Sequence, residues 1–204
     1  MKYIYTDTAL CNLFRPSLCK SYPVFFKYHM DSANQIVINE GQWTAGVNMA
    51  LDLICNERTE SVNIKDIQCG IVRNDVLKYN IKKLSEFEFI GFTYDGRIAS
   101  PIIDFDDGVI NLNYISGRFV GIPTILYKLN NNAQFIYRKF VASRKVGVIG
   151  TYRFDVIADY LGLTGRSDRN LKIINDNLNQ LKQYNLIKFT SECTLSSCKI
   201  TRLF

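Results

Sequence analysis

One pattern of apolar residues occurs twice in this chain, 97 positions apart. The first copy runs Leu77, Ile81, Leu84, Phe87, Phe89, Ile90 and Thr93. The second runs Ile174, Leu178, Leu181, Tyr184, Leu186, Ile187 and Thr190. Steps of four and three place the first members of each set on one helical face, and the closely spaced members that follow read as a strand. The chain has 204 residues, and each half is long enough to bury a core of its own.

Around the first copy, residues 1–40 are rich in aromatic and β-branched types, as in Tyr3-Ile4-Tyr5, Tyr22 to Tyr28 and Gln35-Ile36-Val37-Ile38-Asn39. Pro16 and Pro23 break any long helix there, so short strands are expected. A helix is expected over Trp43 to Glu57, with Val47, Leu51 and Ile54 on one face. Asn63 can cap a short helix bearing Ile64, Ile67 and Ile71, and a longer helix follows from Asp75 to Glu86. Asp95-Gly96 then marks a two-residue hairpin between Phe89–Tyr94 and Arg97–Ser100. Residues 105–117 read as a linker, with Val109 to Tyr114 and Arg118 to Val120 as candidate paired strands.

The second copy has clearer punctuation. Gln134 to Lys145 reads as a helix, with Phe135, Ile136, Phe140 and Val141 facing the core and Arg138, Lys139, Arg144 and Lys145 forming a basic face. Phe154, Ile157, Ala158 and Leu161 follow at i, i+3, i+4 and i+7, and Gly162 ends that helix. Ser167 caps a long helix from Asp168 to Tyr184 with the stripe Leu171, Ile174, Leu178 and Leu181. Leu186 to Ser191 and Cys198 to Leu203 would pair as a hairpin with its tip at Thr194 to Ser197.

Pro123-x2-Leu126, Tyr137, Phe154-x2-Ile157-Ala158-x2-Leu161-Gly162-Leu163 and Ile174-x3-Leu178-x2-Leu181-x3-Asn185-Leu186-Ile187 together form a series over residues 118–204. It resembles the winged-helix domain of replication initiators from plasmids and phages of low-GC Gram-positive bacteria, and is similar to phage replisome organisers and many transcription regulators. The resemblance implies an α+β fold of two tandem winged-helix domains. These would be residues 41–104 and 118–204, preceded by a β-rich extension over 1–40. The first unit departs from the series, with Ile67-Gln68-Cys69-Gly70-Ile71 where the second has its Ile-Ala-x-x-Leu-Gly-Leu helix.

A helix-turn-helix presents the N-terminal polar residues of its second helix to base edges in the major groove. With the apolar stripe removed, the 168–184 helix leaves Arg169, Asn170, Lys172, Asn175 and Asn179 as candidate DNA contacts. Arg pairs bidentately with guanine, and Asn with adenine. Arg153, Arg166 and Ser167 are placed for phosphate contacts. Charge points the same way. Residues 1–104 carry 11 Lys and Arg against 12 Asp and Glu, a net of −1, whereas residues 105–204 carry 14 against 7, a net of +7. Local excess of this kind serves phosphate binding. Arg73, Asn74, Lys78 and Lys82 form the matching set in the first unit, offset by Asp75, Glu86 and Glu88, and serve as a second DNA surface or a partner surface.

Catalytic patterns are absent from the sequence. His29 is the single histidine, and neither a Cys-x-x-Cys pair nor a phosphate-binding Gly-x-x-x-x-Gly-Lys loop occurs. Asp104, Asp106 and Asp107 cluster without a following Glu-x-Lys, so a solvated linker is expected rather than a metal centre. No enzyme activity, cofactor or metal is expected. No apolar run approaches the roughly 18–20 residues that cross a bilayer, and the N-terminus lacks a signal-peptide pattern, so a cytoplasmic location away from membranes is expected. In that setting Cys11, Cys19, Cys55, Cys69, Cys193 and Cys198 are expected as free thiols, although the Cys193–Cys198 spacing falls where a hairpin brings its ends together. The expected partner is double-stranded DNA at an origin or operator, with room for a homodimer or for a host or phage replication protein. The rival expectation is a phage-encoded interaction module that inhibits a host defence or replication enzyme, with the winged helices as scaffold.

Overall fold

A computed structural model describes residues 2–8, 25–26, 36–37, 45–57, 61–63, 67, 73–85, 93–94, 97–98, 103–106, 109–112, 118–188 and 193–203, and the fold is mixed α+β with small sheets. In the first half, α1 (Ala45–Asn56) packs on α2 (Asn74–Ser85) and on the N-terminal strand β1 (Tyr3–Asp7). Both helices match their expected spans within two residues. Leu51 and Ile54 of α1 are buried with Leu77 and Ile81 of α2, so the visible part of the first apolar pattern does face a core. Two short strands, β2 (Phe25–Phe26) and β3 (Ile36–Val37), pair antiparallel. The expected Asp95-Gly96 hairpin has its strands in place: β5 (Thr93–Tyr94) pairs with β6 (Arg97–Ile98) in the register Tyr94↔Arg97.

Asn63, expected as a cap, ends strand β4 (Ser61–Asn63). Most of the short helix expected after it lies outside the described residues. The segment read as a linker instead supplies strands, with β7 (Ile103–Asp106) and β8 (Val109–Leu112) completing a sheet of order β4-β8-β7. The register Asp106↔Val109 leaves Asp107-Gly108 as the connection, the same hairpin signal as Asp95-Gly96. Nor do residues 109–112, the described part of Val109–Tyr114, pair with Arg118–Val120. The latter lies at the start of β9 (Phe119–Pro123), which runs antiparallel to β1 from Tyr3↔Pro123 to Asp7↔Phe119. Ile4 on one strand and Val120 and Ile122 on the other are buried, so the N-terminal segment is stitched to the second half.

The second half runs in the order α3 (Asn131–Ile136), β10 (Ile149–Arg153), α4 (Phe154–Tyr160), α5 (Asp168–Gln183), β11 (Ile187–Lys188) and β12 (Ser197–Arg202). Helix α3 begins earlier than expected because the Asn130 side chain accepts a hydrogen bond from Ala133 N. It then widens into a π-type turn over Tyr137–Val141, with Ala142 N bonded to Tyr137 O at 2.8 Å. Phe135, Ile136, Phe140 and Val141 are buried as expected, together with Phe154, Ile157, Ala158, Leu161, Ile174, Leu178 and Leu181.

The ends of the helices explain the tight packing. After α4, Gly162 adopts φ +69, Leu163 N reaches Ala158 O at 2.8 Å and Gly162 N reaches Asp159 O at 2.9 Å. This pair of bonds closes the helix around a left-handed residue. Asn185, at φ 56, repeats the device after α5, with Leu186 N on Leu181 O at 3.0 Å and Asn185 N on Lys182 O at 2.9 Å. Both turns send the next apolar residue back to the core. No helix among the described residues is long and apolar enough to cross a membrane.

The two halves meet through charge as well as strands. Arg138 does not belong to a solvated basic face: its guanidinium lies against Asp52 of α1, with Nη1 donating to Oδ1 at 3.1 Å and Nη2 to Oδ2. Tyr127 OH donates to the same carboxylate at 2.6 Å. The side chains of Arg138 and Asp52 are only 3% and 1% exposed. Burial pushes the Asp52 carboxyl above its usual range, opposed by Arg138 and Tyr127.

Candidate nucleic-acid interface

Helix α5 carries most of the candidate contacts, and its start is fixed by Ser167, whose Oγ accepts from Asn170 N at 3.2 Å. Amphipathic spacing then sorts its polar residues. Arg169, Lys172, Asp176, Asn179 and Gln183 are exposed and follow one another by three or four positions, so they form a single outward stripe. Arg169, Lys172 and Asn179 of the sequence set are therefore brought together. Asp176 sits among them and offsets part of their charge.

Two members of the set are turned elsewhere. Asn170 is buried, and its Nδ2 donates to Thr164 O and Gly165 O, both at 2.9 Å. It secures the turn between α4 and α5, which the outward placement read from the sequence had missed. Asn175 exchanges two hydrogen bonds with the backbone of Cys193: Nδ2 donates to its carbonyl at 3.1 Å, and Oδ1 accepts from its N–H at 2.9 Å. Its amide fastens the hairpin to α5. Helical spacing alone could not distinguish these amides from Asn179, since their partners lie in loops.

Two of the three phosphate candidates before α5 share an acid. Arg153 and Arg166 both donate to Asp155, the latter at 2.7 Å. These hydrogen bonds hold the Asp155 carboxyl down at about 2. Because the folded value lies below the ordinary one, the group's contribution to stability is present above about pH 3.8 and is lost as pH falls through about 2. A carbon-13 NMR titration should place the Asp155 midpoint near 2, and Arg166→Ala should move it upward. An unperturbed midpoint near 3.9 would show that the arginines do not engage it.

The hairpin beside α5 adds cations. Strands β11 and β12 pair in the register Ile187↔Arg202 and Lys188↔Thr201, and β12 also pairs with β10, Thr151↔Lys199 and Arg153↔Ser197. Alternation puts Arg153, Lys199 and Lys188 on the exposed face of this sheet. Lys188 was not singled out from the sequence, although its position next to the buried Ile187 follows the strand alternation. Thr194 N bonds Ser197 O at 3.0 Å to form the expected tip. Cys193 and Cys198 are joined across its base, Cα atoms 4.4 Å apart, rather than remaining free thiols. Cys55 is free and buried, and burial pushes its thiol up. The other three cysteines lie outside the described residues.

The second candidate set sits on α2. Arg73, Asn74, Lys78 and Lys82 are exposed, but Arg73 is bound to Asp75 by two hydrogen bonds of 3.1 and 2.7 Å. Val76 and Tyr79 are exposed on the same helix, so this surface is part apolar. No group of three or more His, Cys, Asp or Glu placed to hold a metal occurs among the described residues. Comparison with known protein families, characterised proteins and solved structures gives no match.

Proposed function

We propose that residues 118–204 form a winged-helix unit that binds double-stranded DNA without catalysis, in a cytoplasmic protein of a plasmid, phage or other mobile element. Helix α5 would enter the major groove, and the β11–β12 hairpin would act as the wing. The observation that carries the reading is the outward stripe Arg169, Lys172 and Asn179 on a capped helix, in a half of the chain with net charge +7. Arg169 and Lys172 lie in the first turns of that helix, where recognition helices meet base edges. Arg153, Arg166, Lys188 and Lys199 flank it as phosphate contacts. The process served is recognition of an origin or operator, in replication initiation or transcription control.

The first half, with net charge −1, would form a second winged-helix unit used for a partner. The exposed Val76 and Tyr79 favour protein contact over phosphate contact on α2. A homodimer or a replication protein fits there. The same observation supports the rival reading of an inhibitor of a host defence or replication enzyme.

Arg169→Ala tests the readout. Measured on duplexes selected from a random pool, it should weaken binding by about 1–3 kcal/mol if Arg169 pairs with a base. A folded variant with unchanged affinity and unchanged selected sequence would remove Arg169 from the site.

A further inference from the structure

Among the described residues, the sheet of order β10-β12-β11 ends on β10, which has a neighbour on one side only. Register decides which backbone groups face the open side. Leu203 N donates to Leu186 O, so odd-numbered residues of β12 turn toward β11 and even-numbered ones toward β10. Gly150 and Tyr152, opposite Ile200 and Cys198, therefore bond across to β12. The 3.4 Å bond from Phe154 N to Ser196 O continues that alternation. Ile149 and Thr151 are left with N–H and C=O directed at the open edge, and Arg153 with its N–H, since its carbonyl caps the start of α4.

What surrounds this edge is apolar and cationic. Val148 N bonds Lys145 O at 3.3 Å, and Gly147, at φ +78, takes the position in that turn that needs a left-handed residue. The turn lifts Val146 and Val148 into solvent beside Ile149, and the three are 58%, 48% and 57% exposed. Segments 142–153 and 197–202 carry Arg144, Lys145, Arg153, Lys199 and Arg202 and no Asp or Glu; Arg153 pairs with Asp155 just beyond, and Arg202 is bonded to the carbonyls of Ala142 and Arg144. Natural sheets normally cover, charge or shorten an edge of this kind.

We infer that the open edge of β10 accepts an extended segment of a partner protein, alternating aliphatic and acidic residues, as a fourth strand. The backbone row at Ile149, Thr151 and Arg153 supplies the ladder bonds, and Val146, Val148 and Ile149 receive the aliphatic side chains. The cations select an acidic partner. A second copy of this chain is a poorer occupant, since it brings the same cations to the seam, and the nearby carboxylate of Asp155 is already held by Arg153 and Arg166. This inference does not depend on the DNA reading.

The test uses the full chain and a fluorescein-labelled peptide, Glu-Val-Glu-Val-Glu-Val-Glu with blocked ends, followed by anisotropy. Saturable binding is expected, weakened about tenfold or more when lysine replaces the glutamates. Methylating the alternate peptide nitrogens that face β10 should weaken it by about as much, because it removes the ladder donors. Thr151→Pro removes one edge N–H at a place where edge strands tolerate proline, and should abolish binding while circular dichroism and the thermal midpoint stay put. If that variant unfolds, the methylated peptide decides. Equal binding of methylated and unmethylated peptide, or no binding at low salt, would overturn the proposal. So would sedimentation showing a wild-type dimer that Thr151→Pro converts to monomer, since the edge would then be filled by a second copy.

Discussion

Replacing Arg138 with methionine is expected to remove about 3–5 kcal/mol of folding stability at neutral pH, measured by urea unfolding. The arginine makes a two-pronged contact with Asp52 in a place where both side chains are almost wholly enclosed. Without it, the carboxylate keeps the neutral hydroxyls of Tyr127 and Thr6 beside it but no counter-charge, and cannot recover its lost hydration. Replacing both members, as Arg138→Met with Asp52→Leu, should restore most of the loss, because an apolar pair needs no counter-charge.

The sign of the pH dependence follows from the direction of the Asp52 shift. A carboxyl raised in the folded state stabilises most below about pH 3.8, and that contribution is lost as pH rises through its folded value. Arg138 is the largest influence lowering that value, so its removal raises it further. The gap between variant and wild type should therefore be widest near pH 7 and narrow toward pH 4. A gap under about 1 kcal/mol at pH 7 would place this pair among contacts of little consequence.

That pair also marks the limit of what the sequence made legible. Helices α1, α2, α4 and α5 follow from local periodicity, and Ser167 and Gly162 act as their spacing implied. These are decided within a few residues of the chain. Arg138 and Asp52 are 86 positions apart, and each alone reads as an ordinary surface charge. The β1–β9 pairing joins positions more than 110 apart and is equally invisible to a local pattern. The β7–β8 hairpin was legible in principle. Its Asp107-Gly108 carries the same turn chemistry as Asp95-Gly96, but the surrounding acids made it read as a linker.

The candidate site divides in the same way. Arg169, Lys172 and Asn179 face outward because helix periodicity puts them opposite the Ile174–Leu178–Leu181 stripe. Asn170 and Asn175 have the composition of base readers but the geometry of braces, bonded to the 164–165 turn and to Cys193. Asp155 partly neutralises Arg153 and Arg166, a pairing across 11 residues that no count of charges reveals. The working surface loses the Asn170 and Asn175 amides, and it gains Lys188 and Lys199 from the sheet.

That surface gives the proposal a number. With about four to six of Arg153, Arg166, Arg169, Lys172, Lys188 and Lys199 on phosphates, the logarithm of the association constant should fall against the logarithm of salt concentration with a slope near −3.6 to −5.4. Between 50 and 200 mM salt the affinity for duplex DNA should then drop roughly 10²- to 10³-fold. The decisive measurement is an anisotropy titration of a labelled random-sequence duplex with the full chain across that salt range. Binding that is tight at low salt and falls with this slope is the expected result. No detectable binding at 50 mM salt, or an affinity indifferent to salt, would contradict DNA recognition by this surface and leave protein partners as its purpose.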